Sequence, residues 1–435
     1  MASADFPLDR RRLIAGIGAA ALIPALPSVA VAQARAALAL QAKADQISLR
    51  PGEAETPVWS IGGPELRFKR GDLLDVNFTN GQPGPVALNW RGIDGAAAVE
   101  PLASRAPLAP GSSETFPLQF RHAGTFLCEA GLLGDGGIRP ARSRAIVVTE
   151  STPISVDRDE LLLIEEWWLK PDGKALASGL SPENAKVFHS INGKPSFDIS
   201  ARANDRLRLR FINAGQRTVM AVKIENLEVR VMGVDGQPAE PFPARNGALV
   251  LAPGGRTDAF VDVVGAAGTS FAVLLHDGKE ARPAGKVSIS KEAPVRPAPL
   301  PPAPPLPSNG LPTNIDLKNA ARVDLPLGNS ADWLKPIDFK PSSAPAFKVK
   351  PGRPVVLALA NRGPLTNVFH LHGHHFRLLD RLDDGWKPFW LDTLALAPGE
   401  TQRIAFLAEH PGRYLIESVA TDWAAPRLLR WYSVE

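Results

Sequence analysis

The segment His370-Leu371-His372-Gly373-His374-His375-Phe376 holds four of the chain's eight histidines. Histidines at i, i+2 and i+4 on a strand project from one face, so such a run can hand two or three imidazoles to one metal ion. No Ser/His/Asp arrangement, phosphate-cradling glycine loop or paired-cysteine metal motif competes with it. A metal site needs partners from elsewhere in the chain, and those depend on the elements that carry them.

Those elements read as strands. Helical periodicity is scarce. Short β-rich runs bounded by Gly, Pro, Asn and Asp recur instead, among them Leu73–Thr79, Ala145–Thr149, Leu161–Glu165, Leu207–Asn213, Leu227–Val234, Ala259–Val264, Phe271–His276, Val355–Asn361 and Ile404–Ala408. Alternation in Arg206-Leu207-Arg208-Leu209-Arg210-Phe211 puts Leu207, Leu209 and Phe211 on one face. This spacing predicts an all-β fold of antiparallel sandwiches. A turn recurs ahead of apolar strands, as Leu108-Ala109-Pro110-Gly111, Leu251-Ala252-Pro253-Gly254 and Leu396-Ala397-Pro398-Gly399. Pro then Gly suits the centre of a type II turn, and the repetition suggests three related domains. Asp383-Asp384-Gly385 reads as a type I′ hairpin turn.

Two breaks divide the chain. One is Ser151-Thr152-Pro153; the other is Pro294 to Pro307, which contains eight prolines. The proline run reads as a semi-extended linker that spaces its neighbours and joins no sheet. The expected organisation is a leader at 1–34, domains at 35–150, 151–293 and 312–435, and a Pro-rich linker at 294–311.

The leader has Arg10-Arg11-Arg12, an apolar stretch from Leu13 to Val31, and the small-residue end Ala30-Val31-Ala32-Gln33-Ala34. That layout predicts a cleaved export signal of the twin-arginine type, with a retained anchor as the other reading, and a periplasmic location. No other segment offers the roughly 20 apolar residues that span a bilayer, so no stable membrane span is expected after cleavage. Removing residues 1–34 takes away three Arg and two Asp and lowers the formal charge from +4 to +3. That is too mild for a nucleic-acid footprint. Cys128 is the only cysteine. There is no disulfide framework, so the fold rests on its cores, and Cys128 is expected to serve as a small buried hydrophobe.

From about Pro51 to Glu435 the chain resembles the three-domain bacterial multicopper oxidases. The segments that carry the resemblance are Asn89-Trp90-Arg91-Gly92, Ala123-Gly124-Thr125-Phe126, Ile191-Asn192-Gly193-Lys194, Val234-Asp235-Gly236-Gln237-Pro238, Leu251–Asp258, His370–Phe376 and Pro411-Gly412-Arg413-Tyr414. The resemblance implies three cupredoxin-like Greek-key β-sandwich domains. It also implies four short motifs that supply copper ligands, and here most ligand positions are changed. The eight trinuclear positions carry Asn89, Arg91, Glu129, Gly131, His370, His372, Glu417 and Val419. The blue-copper positions carry Asn367, Ser418, Trp423 and, at the axial place, Leu428.

A blue-copper centre needs a thiolate and two imidazoles, and Ser418, Asn367 and Trp423 provide none of them. Arg91 is expected to pair with Glu129, Glu417 or both, because a buried charge without a partner is costly. His370 and His372 would be hydrogen-bonding neighbours of that network, with His374 and His375 structural or exposed. By the family pattern, Glu165-Glu166-Trp167-Trp168 falls at a strand end and is not a catalytic acid pair.

The expected function is a non-catalytic scaffold or interaction protein with no cofactor and an unknown periplasmic protein partner. A twin-arginine-exported bacterial cell-division protein without coppers is similar in architecture and ligand loss. The alternative is a copper-binding oxidoreductase using a residual site at His370 and His372, aided by Glu129 or Glu417.

Overall fold

Strands account for nearly all the regular structure, as the short β-rich runs require. The computed structural model describes residues 35–132, 139–328, 331–379 and 386–435. The expected leader and the Asp383-Asp384-Gly385 turn lie outside these residues. Among the described residues there are two short 3-10 turns, Ala97–Val99 and Arg245–Gly247, and no α-helix. No helix there is long and apolar enough to cross a membrane.

Six sheets pair into three cupredoxin-like sandwiches. In the first, strands Thr56–Gly62, Ala36–Ile47, Leu73–Asn80 and Ser113–Gln119 face Arg67–Lys69, Arg144–Thr149, Gly124–Leu132 and Val86–Arg91. Period-two burial shows why: Leu74, Val76 and Phe78 point into the core while their neighbours do not. Each such side chain is worth about 1.5–3 kcal/mol when fully buried. The second sandwich is built around Arg206–Asn213, Arg256–Asp262 and Ser270–His276. In the third, one sheet carries Asn367–Leu371 between Thr393–Leu396 and Gly412–Ala420, with Arg427–Val434 beyond.

The sheets are mixed, which corrects the antiparallel expectation. Each of the six contains one parallel pair. In each sandwich one parallel pair begins with the first strand: Ala36–Ile47 beside Leu73–Asn80, Arg158–Leu169 beside Arg206–Asn213, and Ala321–Leu327 beside Arg353–Asn361. The repetition supports three related units more strongly than the recurring turn. Gly111, Gly254 and Gly399 have φ of 73°, 81° and 73°, the left-handed backbone that the recurring Pro-Gly turn demands.

Alternation in Arg206–Phe211 does not mark a solvent face. Every residue of Arg206–Asn213 is buried. The leucines enter the second core, while Arg208 grips Glu150 and Asp258, and Arg210 grips Asp159, Asp258 and Thr125. The charged face is therefore a contact with the first sandwich. Gly124 (φ 149°) sits at the same contact, where a Cβ would stand 2.2 Å from the Gly236 carbonyl oxygen.

The proline run joins no sheet, as expected, yet it is docked along its length and is not a free spacer. Arg206 donates to the Leu300 and Pro301 carbonyls, and Leu306 packs with Met232 and Phe260. Asn309 then exchanges hydrogen bonds with the Ala123 backbone and donates to Gln237 Oε1.

Candidate functional site at the sandwich junction

Two strand pairs, one from the first sandwich and one from the third, bring the marked positions together. In the first, Val86–Arg91 pairs antiparallel with Gly124–Leu132, which places Asn89 opposite Glu129. In the third, Asn367–Leu371 pairs with Gly412–Ala420, which places His370 opposite Glu417. Side chains two apart share a face, so Asn89 with Arg91, Glu129 with Gly131, and Glu417 with Val419 turn toward the junction.

Arg91 spans it. Its Nη2 lies 3.0 Å from Glu129 Oε2 and 2.9 Å from Glu417 Oε2, and its Nε donates to Glu129 at 3.1 Å. Arg427 adds a second cation, donating to both Glu417 oxygens at 3.1 and 2.9 Å and to Gln216 Oε1. Burial alone would raise the carboxyl pKa of Glu417, but Arg427, Arg91 and His372 hold it well below the usual range. Glu129 is likewise lowered against burial by Arg91 and Arg427. The Pro-Gly turn of the second sandwich closes over this clasp, since a Cβ on Gly254 would meet Arg91 Cδ at 2.8 Å.

The two histidines behave in opposite ways. His372 Nδ1 faces Glu100 Oε1 at 2.7 Å and its Nε2 faces Glu417 Oε1 at 3.2 Å. Against a burial penalty these carboxylates raise its pKa to about 9, so it is an imidazolium with both nitrogens engaged. His370 donates from Nδ1 to the Asp392 carbonyl at 3.0 Å. Burial and the neighbouring Arg91 cation lower it to about 3, so it is neutral, and its buried Nε2 lone pair has no partner. The two-histidine, one-carboxylate site of the alternative reading is thus not preformed: one free imidazole nitrogen is present, not two.

On the opposite face of the same strand pair, Ser418 Oγ donates to Asn367 Oδ1 at 2.8 Å. Trp423 is buried with its ring 5.8 Å from that of Trp168, and Leu428 packs against the third core.

Family models described as multicopper oxidase match residues 158–288 and 311–435, together more than half of the chain. The multicopper oxidase MmcO of Mycobacterium tuberculosis is 24% identical over 406 residues, covering 82% of this chain and 78% of that protein. Laccase-7 of Arabidopsis thaliana is 25% identical over half of this chain, which spans 41% of that laccase. The crystal structure of a multicopper oxidase from Pseudomonas thermotolerans superposes with a TM-score of 0.78 over 92% of this chain and all of that one, at 24% identity.

The chain belongs to the multicopper oxidase family.

For this multicopper oxidase relative, several junction contacts are made by residues outside the copper-ligand positions. Arg256 is fully buried; it forks onto Asp392 of the third sandwich at 2.9 and 2.5 Å and donates to the Thr125 carbonyl of the first. His375, which is buried and not exposed, faces Asp94 with Nδ1 at 2.8 Å and donates from Nε2 to the Asp235 carbonyl at 2.7 Å. Burial opposes the charge of His375, but Asp94 raises it to about 9. His122 lies beside the pair, with Nδ1 3.3 Å from Asp94 and 2.8 Å from Gln237 Nε2. This Asp94/His122/His375 group draws ligand-type atoms to within 4.8 Å of one another. Its members are too far apart in sequence for any spacing rule to join them. His374 is buried, and its Nδ1 is hydrogen-bonded to the Tyr432 hydroxyl at 2.7 Å.

Cys128 is fully buried in the first core, and burial pushes its thiol far up, so it is inert packing. Glu165 and Glu166, adjacent on one strand, turn to opposite faces: Glu165 takes both arms of Arg142, while Glu166 accepts from Thr218 and Trp168. They are not an acid pair.

A cavity of about 540 Å³ opens beside the clasp. Asn89, Glu129, Gly131 and Glu417 line one end, and Trp423, Arg217 and Arg427 line another.

Proposed function

We propose that this family member has lost its coppers and works as a non-catalytic scaffold or interaction protein after export through the twin-arginine route. One observation carries the reading: the Arg91 guanidinium bridges Glu129 and Glu417 at positions where the family pattern calls for imidazoles. A cation of fixed charge there opposes copper ions by like-charge repulsion. The donor set does not suit copper elsewhere either. Asn367, Ser418 and Trp423 offer no soft sulfur and no imidazole, and Asn367 and Ser418 are bonded to each other.

The residual-copper alternative has one point in its favour, the unpartnered Nε2 of His370. A second histidine ligand would require His372 to give up a carboxylate and a proton. That cost favours the scaffold reading.

The test is metal content after production in copper-supplemented medium, paired with a phenol oxidase assay. The expected result is far less than one copper per chain and no turnover. Stoichiometric copper accompanied by turnover would sink the scaffold reading.

A further inference from the structure

We propose that the cavity beside the clasp is a binding site for a small organic carboxylate with a flat, unsaturated body, held by Arg217. The ligand takes space that the residue changes at this junction leave open. Gly131 has no side chain, and a Cβ built there would meet nothing closer than the Ala87 carbonyl at 3.9 Å. The cavity volume of about 540 Å³ falls within the range of roughly 300–1,000 Å³ common to small-molecule sites.

Arg217 supplies the recognition. It is 4% exposed, yet among the described residues no carboxylate oxygen lies within 4.0 Å of its guanidinium. Its contacts are backbone carbonyls only, Ala425 from Nε and Nη2 and Gln216 from Nη1. An arginine has five N–H donors, so two are left over, and a carboxylate suits that fork. Of the lining carboxylates, Glu129 and Glu417 are shared by Arg91 and Arg427, and Glu165 is forked by Arg142. Glu166 accepts from Thr218 and Trp168 through Oε1 and stays more than 4.0 Å from the Arg217 guanidinium, so it offsets part of the arginine's charge without occupying its free donors. Arg139 and the exposed Lys335 add positive charge to the lining.

The body of the ligand is set by the walls. Trp59, Trp167 and Trp423 line the cavity. Flat aromatic walls favour a flat ligand.

This inference goes beyond the scaffold reading and does not lean on it, since ligand binding and metal content are separate measurements. Calorimetric titration of the full chain with 2-naphthoate, with neutral 2-naphthamide as the control, tests it. The expected result is saturable binding of one naphthoate per chain, with the amide at least about tenfold weaker. Arg217→Met weakens naphthoate to a similar degree. Gly131→Phe, which breaks no hydrogen bond and fills the space, does the same, with thermal melts showing both variants folded. Absence of naphthoate binding at millimolar concentration, equal binding of acid and amide, or full binding by folded Arg217→Met would each overturn the proposal.

Discussion

Ser418 and Asn367 form a hydrogen bond of 2.8 Å in the third sandwich, on the face of the Asn367–Leu371/Gly412–Ala420 strand pair that turns away from Arg91. Both side chains are buried, and each answers the polar need of the other. A metal would have to part them. The pair therefore works as a closed unit, and a single substitution toward a copper ligand leaves the rest of the set wrong.

Ser418→Cys alone is therefore expected to bind no stoichiometric Cu(II). The triple variant Asn367→His, Ser418→Cys, Trp423→His supplies one thiolate and two imidazoles and is expected to gain copper with an intense thiolate-to-copper absorption band. Visible spectroscopy and metal analysis of the two proteins check this. A coloured, copper-loaded single variant would contradict it.

Arg91→Met leaves Glu129 with only Arg427, at 4.0 Å, and leaves Glu417 with Arg427 and His372. Breaking a buried pair by removing one partner costs about 3–5 kcal/mol. The expected outcome is a denaturant midpoint lowered by a corresponding amount, partly restored when Glu129→Gln is added. A midpoint within the scatter of wild type would show that Arg91 carries no load at the junction.

Stability should fall on the alkaline side of neutrality for a reason that can be assigned. His372 titrates near 9 in the fold against 6.5 unperturbed. Its stabilising effect is whole below pH 6.5 and is lost as pH rises from 6.5 to about 9. The loss is on the order of 2–3 kcal/mol, and His375, also raised to about 9, adds a second share in the same window. His370 acts in the opposite direction: held near 3, its effect is whole above pH 6.5 and is lost as pH falls toward 3. Urea melts across pH should show His372→Gln with a shallower alkaline limb than wild type. An unchanged limb would rule out His372 as the titrating group.

Gly124→Ala tests how closely the first two sandwiches approach. The new methyl would stand 2.2 Å from the Gly236 carbonyl oxygen in a backbone region that side chains avoid. Overpacking of this kind costs about 1–3 kcal/mol, to be read from thermal unfolding. Gly111→Ala, at an open turn with the same sign of φ but nothing within 4 Å of the added Cβ, should cost less.

How far the sequence reaches depends on what each residue must satisfy. Arg91, Glu129 and Glu417 were readable because a buried cation at one ligand position needs a carboxylate, and two other ligand positions supply them. The strands were readable from alternation, but alternation does not say what lies over each face. Arg206, Arg208 and Arg210, on the face opposite the leucines, are buried against the first sandwich and the linker. Arg427, Glu100 and Arg256 complete the junction through contacts that no motif announces. What faces each ring nitrogen of His372 was not readable from the sequence, because one of those partners, Glu100, is hundreds of residues away in the chain.

Asn309 is a tie between the first two sandwiches. Its amide bonds both to the Ala123 backbone in the first sandwich and to Gln237 in the second, so its seat exists only once those two have met. The chain reaches Asn309 after both and before the third sandwich begins. That seat is complete without the third sandwich, whose Glu417 meets Arg91 across a separate contact.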